Sequence, residues 1–257
     1  MLTGKVVLVT GSTSGIGRGI AQHFASLGAI VAVHGRSAEG AEETVAAIHA
    51  AGGTAEAQLA DLMDASACRG LVEWAVERFG GLDILVNNAA LTTRGSIEDV
   101  PVEVVDRIFA VNLRAPLLLM QAAIPPMRAR GGGAIVNIGS VNAYIGEPKL
   151  CPYSASKGGL MTLTKNTAAT LNRYRIRVNQ INVGWTLTEG EDRVKRKEEG
   201  LDENWLADAE RTRPWGRLLT PQDVASAAAY FASDQSALVT GAVLDLEQYP
   251  VGAPPNW

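Results

Sequence analysis

Short apolar runs alternate with longer amphipathic stretches along almost the whole chain. Val6-Val7-Leu8-Val9 is a continuous, β-branched-rich run, the pattern of a strand buried on both faces. Residues 30–33, 54–59, 82–86, 134–138 and 242–246 read as further strands. Between them lie helical patterns. Ile16, Ile20 and Phe24 fall at four-residue spacing, so a first helix starts just after the first strand. Residues 38–51, 65–79, 101–130 and 221–233 predict four more, and Pro152 suits the first turn of another. Pro116 is expected to kink the 101–130 helix, because Leu117-Leu118-Leu119-Met120 resumes the apolar pattern beyond it. Strand–helix alternation without internal repeats predicts an α/β fold: a doubly wound parallel sheet with helices on both faces, in a single domain.

In such sheets ligands sit beyond the carboxyl ends of the strands. The first strand runs into Thr10-Gly11-Ser12-Thr13-Ser14-Gly15-Ile16-Gly17, where glycines let backbone N–H groups approach a phosphate at a helix N-terminus. The second ends in His34-Gly35-Arg36. An acid at this point would bind an adenine ribose hydroxyl; Gly35 stands there instead, and Arg36 can pair with a 2′-phosphate, which favours NADP over NAD. Asp61, before Leu62, either accepts from an adenine amino group or caps the next turn. Asn87-Asn88-Ala89-Ala90 ends the fourth strand and Gly139-Ser140 the fifth. Glycine or polar residues at five separate strand ends point together to one ligand cleft.

Composition narrows the partners. The 257 residues are 47% hydrophobic and 19% charged, with 23 Lys plus Arg against 27 Asp plus Glu and a net charge of −4. That balance does not suit a nucleic-acid binder. No apolar run is read as a membrane span, and Lys5 followed at once by a strand is not a signal peptide. Cys68 and Cys151 are distant and need no disulfide, which fits a reducing cytoplasm. The three histidines have no second ligand beside them, so no metal site is expected.

Tyr153 and Lys157 lie one helical turn apart on one face, with Ser140 upstream at a strand end. A phenol titrates near pH 10 and is a poor base at neutrality. A neighbouring ammonium or a cationic nicotinamide stabilises phenolate, so this tyrosine can exchange a hydroxyl proton while Ser140 holds the substrate oxygen.

Over nearly its whole length the chain resembles the short-chain dehydrogenase/reductase family. The matching stretches are the glycine segment, Asp61-Leu62, Asn87-Asn88-Ala89-Ala90, Asn112, Ser140, Tyr153-Ser154-Ala155-Ser156-Lys157 and residues 179–188. The resemblance implies a seven-stranded Rossmann-type sheet and a catalytic set of Asn112, Ser140, Tyr153 and Lys157. Tyr153 would be the acid/base, Lys157 would lower its pKa and bind the nicotinamide ribose, Ser140 would polarise the substrate oxygen, and Asn112 would hold a water in a proton relay. Cofactor contacts are expected from Gly11, Ser12, Thr13, Ser14, Gly15, Ile16, Gly17, Arg36, Asp61, Leu62, Asn87, Ala89, Tyr153, Lys157, Val183, Thr186 and Thr188. The cofactor is NADP, with NAD as the alternative, and the resemblance implies a homotetramer or homodimer built on the helices at 101–130 and 153–174.

Three departures from the family pattern stand out: Ala90 for a glycine, Val183-Gly184 for Pro-Gly after the sixth strand, and Leu246-Glu247-Gln248-Tyr249 for Val-Asp-Gly-Gly. Residues 189–213 are charged and helical in pattern, with Trp205 and Leu206 as apolar anchors, and resemble the family's substrate lid, which closes at about residue 215. Asn142, Tyr144 and Trp185 are expected at the substrate, together with Glu147, Cys151 and the Thr92-Thr93-Arg94 loop. Their polarity favours a sugar, polyol or other small hydroxylated compound. Reduction of 3-oxoacyl carriers is the alternative and needs a basic rim, for which Arg94, Arg128 and Arg130 are the candidates. A nucleotide-sensing protein without turnover is the alternative of another class.

Overall fold

The structure is a computed structural model and describes residues 1–144 and 146–252. Seven parallel strands form one sheet in the order β3-β2-β1-β4-β5-β6-β7. They are β1 (Val6–Val9), β2 (Ile30–Gly35), β3 (Thr54–Leu59), β4 (Ile84–Asn87), β5 (Gly133–Ser140), β6 (Ile176–Val183) and β7 (Val243–Leu246). The order reverses between β1 and β4, both hydrogen-bonded in parallel with their neighbours. A crevice opens at such a switch point, outside the strand ends.

Alternate residues of β1 serve opposite layers. Val7 and Val9 pack with Ile20 and Phe24 of α1 (Gly15–Ser26) and with Val224 and Phe231 of α9 (Pro221–Ala232). Val6 and Leu8 pack with Leu71 of α3 (Ala65–Phe79), Leu119 and Met127 of α5 (Ala115–Ala129), and Leu171 of α6 (Cys151–Leu171). The remaining flanking helix, α2 (Ala38–Ala50), closes the first layer through Ile48. Both faces are therefore dry, as the uninterrupted apolar run of β1 requires.

The expected kink at Pro116 takes another form. The helix runs from α4 (Val102–Phe109) through a π-helical turn over Ala110–Arg114 into α5. Pro116 has no N–H to donate to the carbonyl four residues earlier, that of Asn112, and the widened turn just before it absorbs the mismatch. The continuous helix, Val102–Ala129, is long and apolar enough to cross a membrane by length and composition, unlike the sequence expectation. Leu119, Met120, Ala123 and Met127 of its apolar face are buried in the second core layer.

The lid segment, helical in pattern, is divided into short pieces. It comprises α7 (Glu189–Arg193), a π turn over Val194–Glu198, and α8 (Trp205–Arg211), broken where Gly200 adopts a φ of +70°. Trp205, Ala209 and Leu218 form a small core of their own, with Trp185 and Leu187 packed against it.

A polar chain crosses the buried sheet. Asn87 Nδ2 donates to Asn137 Oδ1 (2.8 Å), and Asn137 Nδ2 donates to Thr164 Oγ1 (2.8 Å). The Thr164 hydroxyl shares its one proton between Gln180 Oε1 (2.9 Å) and the Leu160 carbonyl (2.8 Å), and beyond it Gln180 Nε2 donates to Asn182 Oδ1 (2.7 Å) and Asn182 Nδ2 to the Asp245 carboxylate (3.0 Å). The chain ties β4, β5, β6 and β7 together at depths where unpaired amides would be costly. Gly139 makes room for it, since a Cβ there would meet Asn182 and Gln180.

Candidate active site

The cleft at the switch point has a volume of about 340 Å³. Gly11, Thr13, Ser14, Gly15, Ile16 and Gly17 line one wall, Arg36, Asp61 and Leu62 another, and Ala89 and Thr188 the opening. Gly11 adopts a φ of +64°, and a Cβ there would press on the Ala89 backbone at 2.9 Å. A Cβ on Gly17 would collide with the Gly11 carbonyl. Only glycines allow this cradle, which leaves the N-terminus of α1 open to an anion.

Gly35 is fixed by the same packing. A Cβ on it would strike the Thr13 side chain, so this strand end holds no acid. Arg36 beside it is exposed and lines the cleft. Asp61 takes the turn-capping option, accepting from the Met63 N–H at 2.9 Å, while its residue still borders the cleft.

Six of the expected cofactor residues do not line this cleft: Ser12, Asn87, Tyr153, Lys157, Val183 and Thr186. Ser12 is fully buried and turned inward, donating to the Val9 carbonyl (2.7 Å) and accepting from the His34 N–H (3.0 Å). Asn87 gives its amide to the polar chain, and Asn88 borders the cleft instead, bonded to the Thr10 and Gly11 carbonyls. Val183 and Thr186 are buried at the end of β6, where Thr186 donates to the Gly184 carbonyl (3.1 Å).

His34 supports the glycine turn, a role the sequence reading missed. Its Nδ1 accepts from the Gly11 N–H (3.2 Å) and its Nε2 faces the Ala60 carbonyl (3.2 Å), so Nε2 carries the proton. It is 2% exposed, and burial lowers its pKa to about 4. The available signal was a polar ring closing the apolar run of residues 30–33.

Ser140 ends β5, and Tyr153 and Lys157 face it from the first turns of α6. Pro152 at the start of that helix has no N–H to leave unpaired. Lys157 is buried, donates to the Ile138 carbonyl (2.8 Å), and lies 5.7 Å from the Tyr153 ring centre. Burial lowers its pKa to about 8. The expected lowering of the Tyr153 pKa is not a property of the chain alone. Burial raises it, against the opposing effects of a hydrogen bond with Ser140 and the charge of Arg94.

Asn112 sits in the π turn, and its side chain is committed. Oδ1 accepts from the Leu91 N–H (2.8 Å), and Nδ2 donates to the Leu91 carbonyl (2.9 Å) and Ser156 (3.1 Å). This clamps the loop after β4 to α6. Pro116, four residues on, has no N–H to give the Asn112 backbone carbonyl.

Of the expected substrate residues, Asn142 gives its N–H to Ser140 Oγ (3.2 Å). Tyr144 is turned toward β7, where its hydroxyl donates to Asp245 (3.1 Å). Trp185 is the post of the lid. Its Nε1 donates to Glu191 (2.8 Å), and Lys195 and Arg213 lie 5.1 and 5.3 Å from its ring centre.

The altered C-terminal segment meets this same post. A Cβ on Gly184 would collide with the Glu247 carboxylate, which also accepts from the Trp185 N–H (3.4 Å). Gln248 bonds the Trp215 N–H (3.1 Å) and the Arg217 carbonyl (2.6 Å), and Tyr249 donates to the Thr212 carbonyl (2.7 Å). The two unusual segments therefore form one structure that holds the base of the lid.

A parallel α/β sheet with an anion cradle at its switch point, and a serine, tyrosine and lysine beside it, defines a nicotinamide-dependent oxidoreductase. The family model described as "Enoyl-(Acyl carrier protein) reductase" matches residues 11–247. An L-rhamnose 1-dehydrogenase (NAD(P)(+)) of Sphingomonas is 38% identical over 246 residues, 95% of each chain. A D-beta-hydroxybutyrate dehydrogenase of Rhizobium meliloti is 36% identical over 254 residues, 95% of this chain and 97% of its own. A crystal structure of actinorhodin polyketide ketoreductase with NADPH superimposes with a TM-score of 0.90 at 32% identity, covering 96% of this chain and 98% of that one. The chain belongs to the short-chain dehydrogenase/reductase family, and its activity is NAD(P)-dependent alcohol/ketone oxidoreduction.

The neutral His34 gives a pH prediction. Its folded pKa, about 4, lies below the unfolded value of 6.5, so its contribution is complete above pH 6.5 and is lost as pH falls toward 4. Stability should drop by about 2 kcal/mol between pH 7 and pH 5 from this group. Urea unfolding at the two pH values should show the drop in the native protein and a flatter response in His34→Asn. Equal slopes would mean the ring is not held neutral.

Proposed function

We propose that the protein is an NADP-preferring dehydrogenase/reductase of a small hydroxylated compound such as a sugar or polyol. The observation that carries the reading is the convergence of Ser140, Tyr153 and Lys157 at the end of β5, beside a glycine cradle shaped for a dinucleotide. When bound, the nicotinamide supplies or accepts the hydride. The chain's own groups manage the proton and the substrate oxygen. Ser140 donates a hydrogen bond to that oxygen, and the Tyr153 hydroxyl gives or takes its proton. Lys157, anchored on the Ile138 carbonyl, presents a buried positive charge that favours phenolate. The Asn112 carbonyl, to which Pro116 has no N–H to give, holds the water that reconnects this pair to solvent.

The NADP preference rests on Gly35 and Arg36. Thr13 packing excludes a carboxylate at position 35, and the exposed Arg36 guanidinium borders the cleft with no ion-pair partner among the described residues. The substrate class is supported by the polar approach to Tyr153 and by the sugar and hydroxy-acid dehydrogenases among the relatives. The basic rim required by an acyl-carrier substrate is not assembled. Arg128 stacks on Tyr174 at 4.2 Å, and Arg130 pairs with Asp83 at 2.6 Å at the opposite edge of the sheet. A 540 Å³ cavity at that edge, lined by Asp83, Arg130 and Arg177, has these charges already engaged and lies away from the chemistry.

Assembly as a homotetramer or homodimer through the helices at 101–130 and 153–174 is part of this proposal. The exposed Val102 and Leu117 on the first of them support it. Both cysteines are free thiols, which supports a cytoplasmic setting.

Tyr153→Phe should lower turnover by at least about a thousandfold, since it removes the only proposed proton donor while leaving the cradle intact. NADPH titration of the same variant should give near-native affinity; retained turnover would remove Tyr153 from the mechanism. Arg36→Asp should shift the ratio of NADP to NAD efficiency by about 10- to 100-fold toward NAD, and an unchanged ratio would show that Arg36 does not meet the 2′-phosphate. Light scattering should return a mass of two or four chains; a monomer would contradict the proposed assembly.

A further inference from the structure

Four charged side chains from two separate segments form one ion-pair cluster near Tyr153. Arg94 comes from the loop after β4. Gly95 beside it is bonded on both sides to the segment that leads into Tyr153: its N–H donates to the Lys149 carbonyl (2.8 Å), and its carbonyl accepts from the Cys151 N–H (3.2 Å). The loop that carries Arg94 is thereby tied to the chain two residues before Tyr153. From the lid, Glu199 accepts from Arg94 (3.0 Å) and from Lys195 (2.8 Å). Lys195 also lies 3.8 Å from Glu191, which accepts from the Trp185 indole. Side-chain exposures are 26% for Arg94, 32% for Glu199, 15% for Lys195 and 22% for Glu191. Arg94 and Glu191 are close enough for their charges to act on the Tyr153 phenol, in opposite senses.

A neutral sugar or polyol gives no reason to place a guanidinium there. Half-burying a cation is costly unless a partner compensates it. The partner here is supplied by the lid, from a chain position far from the pocket floor. Glu199 directly precedes Gly200, whose left-handed backbone ends the helical run, so its carboxylate hangs at the lid's free turn. The Arg94 guanidinium has five N–H donors, and its other bond is a long one, to the Thr92 carbonyl (3.3 Å). It keeps donors for a second acceptor, and carboxylate is the acceptor whose geometry matches the arginine fork.

Building on the function proposed above, we infer that the pocket takes a substrate bearing a carboxylate near the reacting alcohol or ketone, with Arg94 as the specificity-determining residue and Glu199 occupying the carboxylate's place until substrate displaces it. The substrate class narrows from hydroxylated compounds in general to hydroxy and oxo acids, sugar acids included. Displacement exchanges one carboxylate for another on the same two cations, so the lid stays closed over a balanced set of charges. Trp185 and Trp205, whose ring centres lie 6.3 Å apart, report that exchange because Lys195 rests over Trp185.

The test uses the full-length protein loaded with NADP. Tryptophan fluorescence is followed while 3-hydroxybutyrate is titrated against 3-hydroxybutyramide, and gluconate against glucitol. In each pair the acid should bind more tightly by about 10- to 100-fold, the range of a charge-assisted hydrogen bond. Arg94→Gln should collapse the acid-to-neutral ratio by the same factor, with Arg94→Lys recovering part of it. Glu199→Gln should raise the ratio, because the internal competitor is gone. NADPH titration of each variant confirms that the fold and cradle persist. Equal binding of acids and neutral partners, no saturable binding of either acid, or a ratio indifferent to Arg94 and Glu199 would overturn the inference. Turnover of the same compounds separates the two levels. Oxidation of glucitol without preference for acids defeats this inference and leaves the proposed function standing. Acid binding that depends on Arg94 without oxidation of any of the compounds supports this inference and removes the hydroxylated-substrate reading.

Discussion

Both faces of the sheet are dry, and that constraint places everything else. β1 spends its alternate residues on two different helical layers, and every central strand does the same. Polar chemistry is then confined to the carboxyl ends of the strands. Gly11, Gly35 and Ser140 lie there because their strands end there. The cradle, the strand end beside Arg36 and the Ser140–Tyr153–Lys157 group are separate sequence features brought to one edge by one architectural rule.

The polar residues that do enter the sheet pair largely with one another, Asn87 Oδ1 being left without a partner among the described residues. The chain from Asn87 to Asp245 satisfies its links with side chains from four strands and α6. Asn87 therefore ties the end of β4 to β5 through its amide N–H. The lid follows the same economy of contacts. Trp185 stands where the family pattern departs, and its backbone and the Gly184 contact are both met by Glu247. Substitutions that look independent along the chain are two sides of one packing solution.

Much of this was legible in the sequence. Six of the seven strands, the glycine segment opening α1, and the one-turn spacing of Tyr153 and Lys157 follow from periodicity and spacing, which are local properties; β6 was expected only from the family resemblance. The misses are mostly non-local. Nothing in the order of residues shows that Tyr144 reaches Asp245 or that His34 braces the Gly11 amide, because each depends on a partner far along the chain. The charge pattern of the lid is helical throughout and does not show the break, which Gly200 makes. Pro116 was read as a kink because propensity sees the missing N–H; the π turn that absorbs it is set by how Asn112 is clamped to Leu91 and Ser156.

The measurement that tests the account most directly is a single turnover with the enzyme in excess over NADPH. Small hydroxyketones and ketoses are mixed with the loaded protein, and the reduced-nicotinamide absorbance is followed in time. The account predicts that the absorbance is lost in step with the bound NADPH, and that deuterium carried on the cofactor appears on the new carbinol carbon. NADPH that binds tightly while its absorbance survives every ketone would contradict it, leaving a nucleotide-binding protein without hydride transfer.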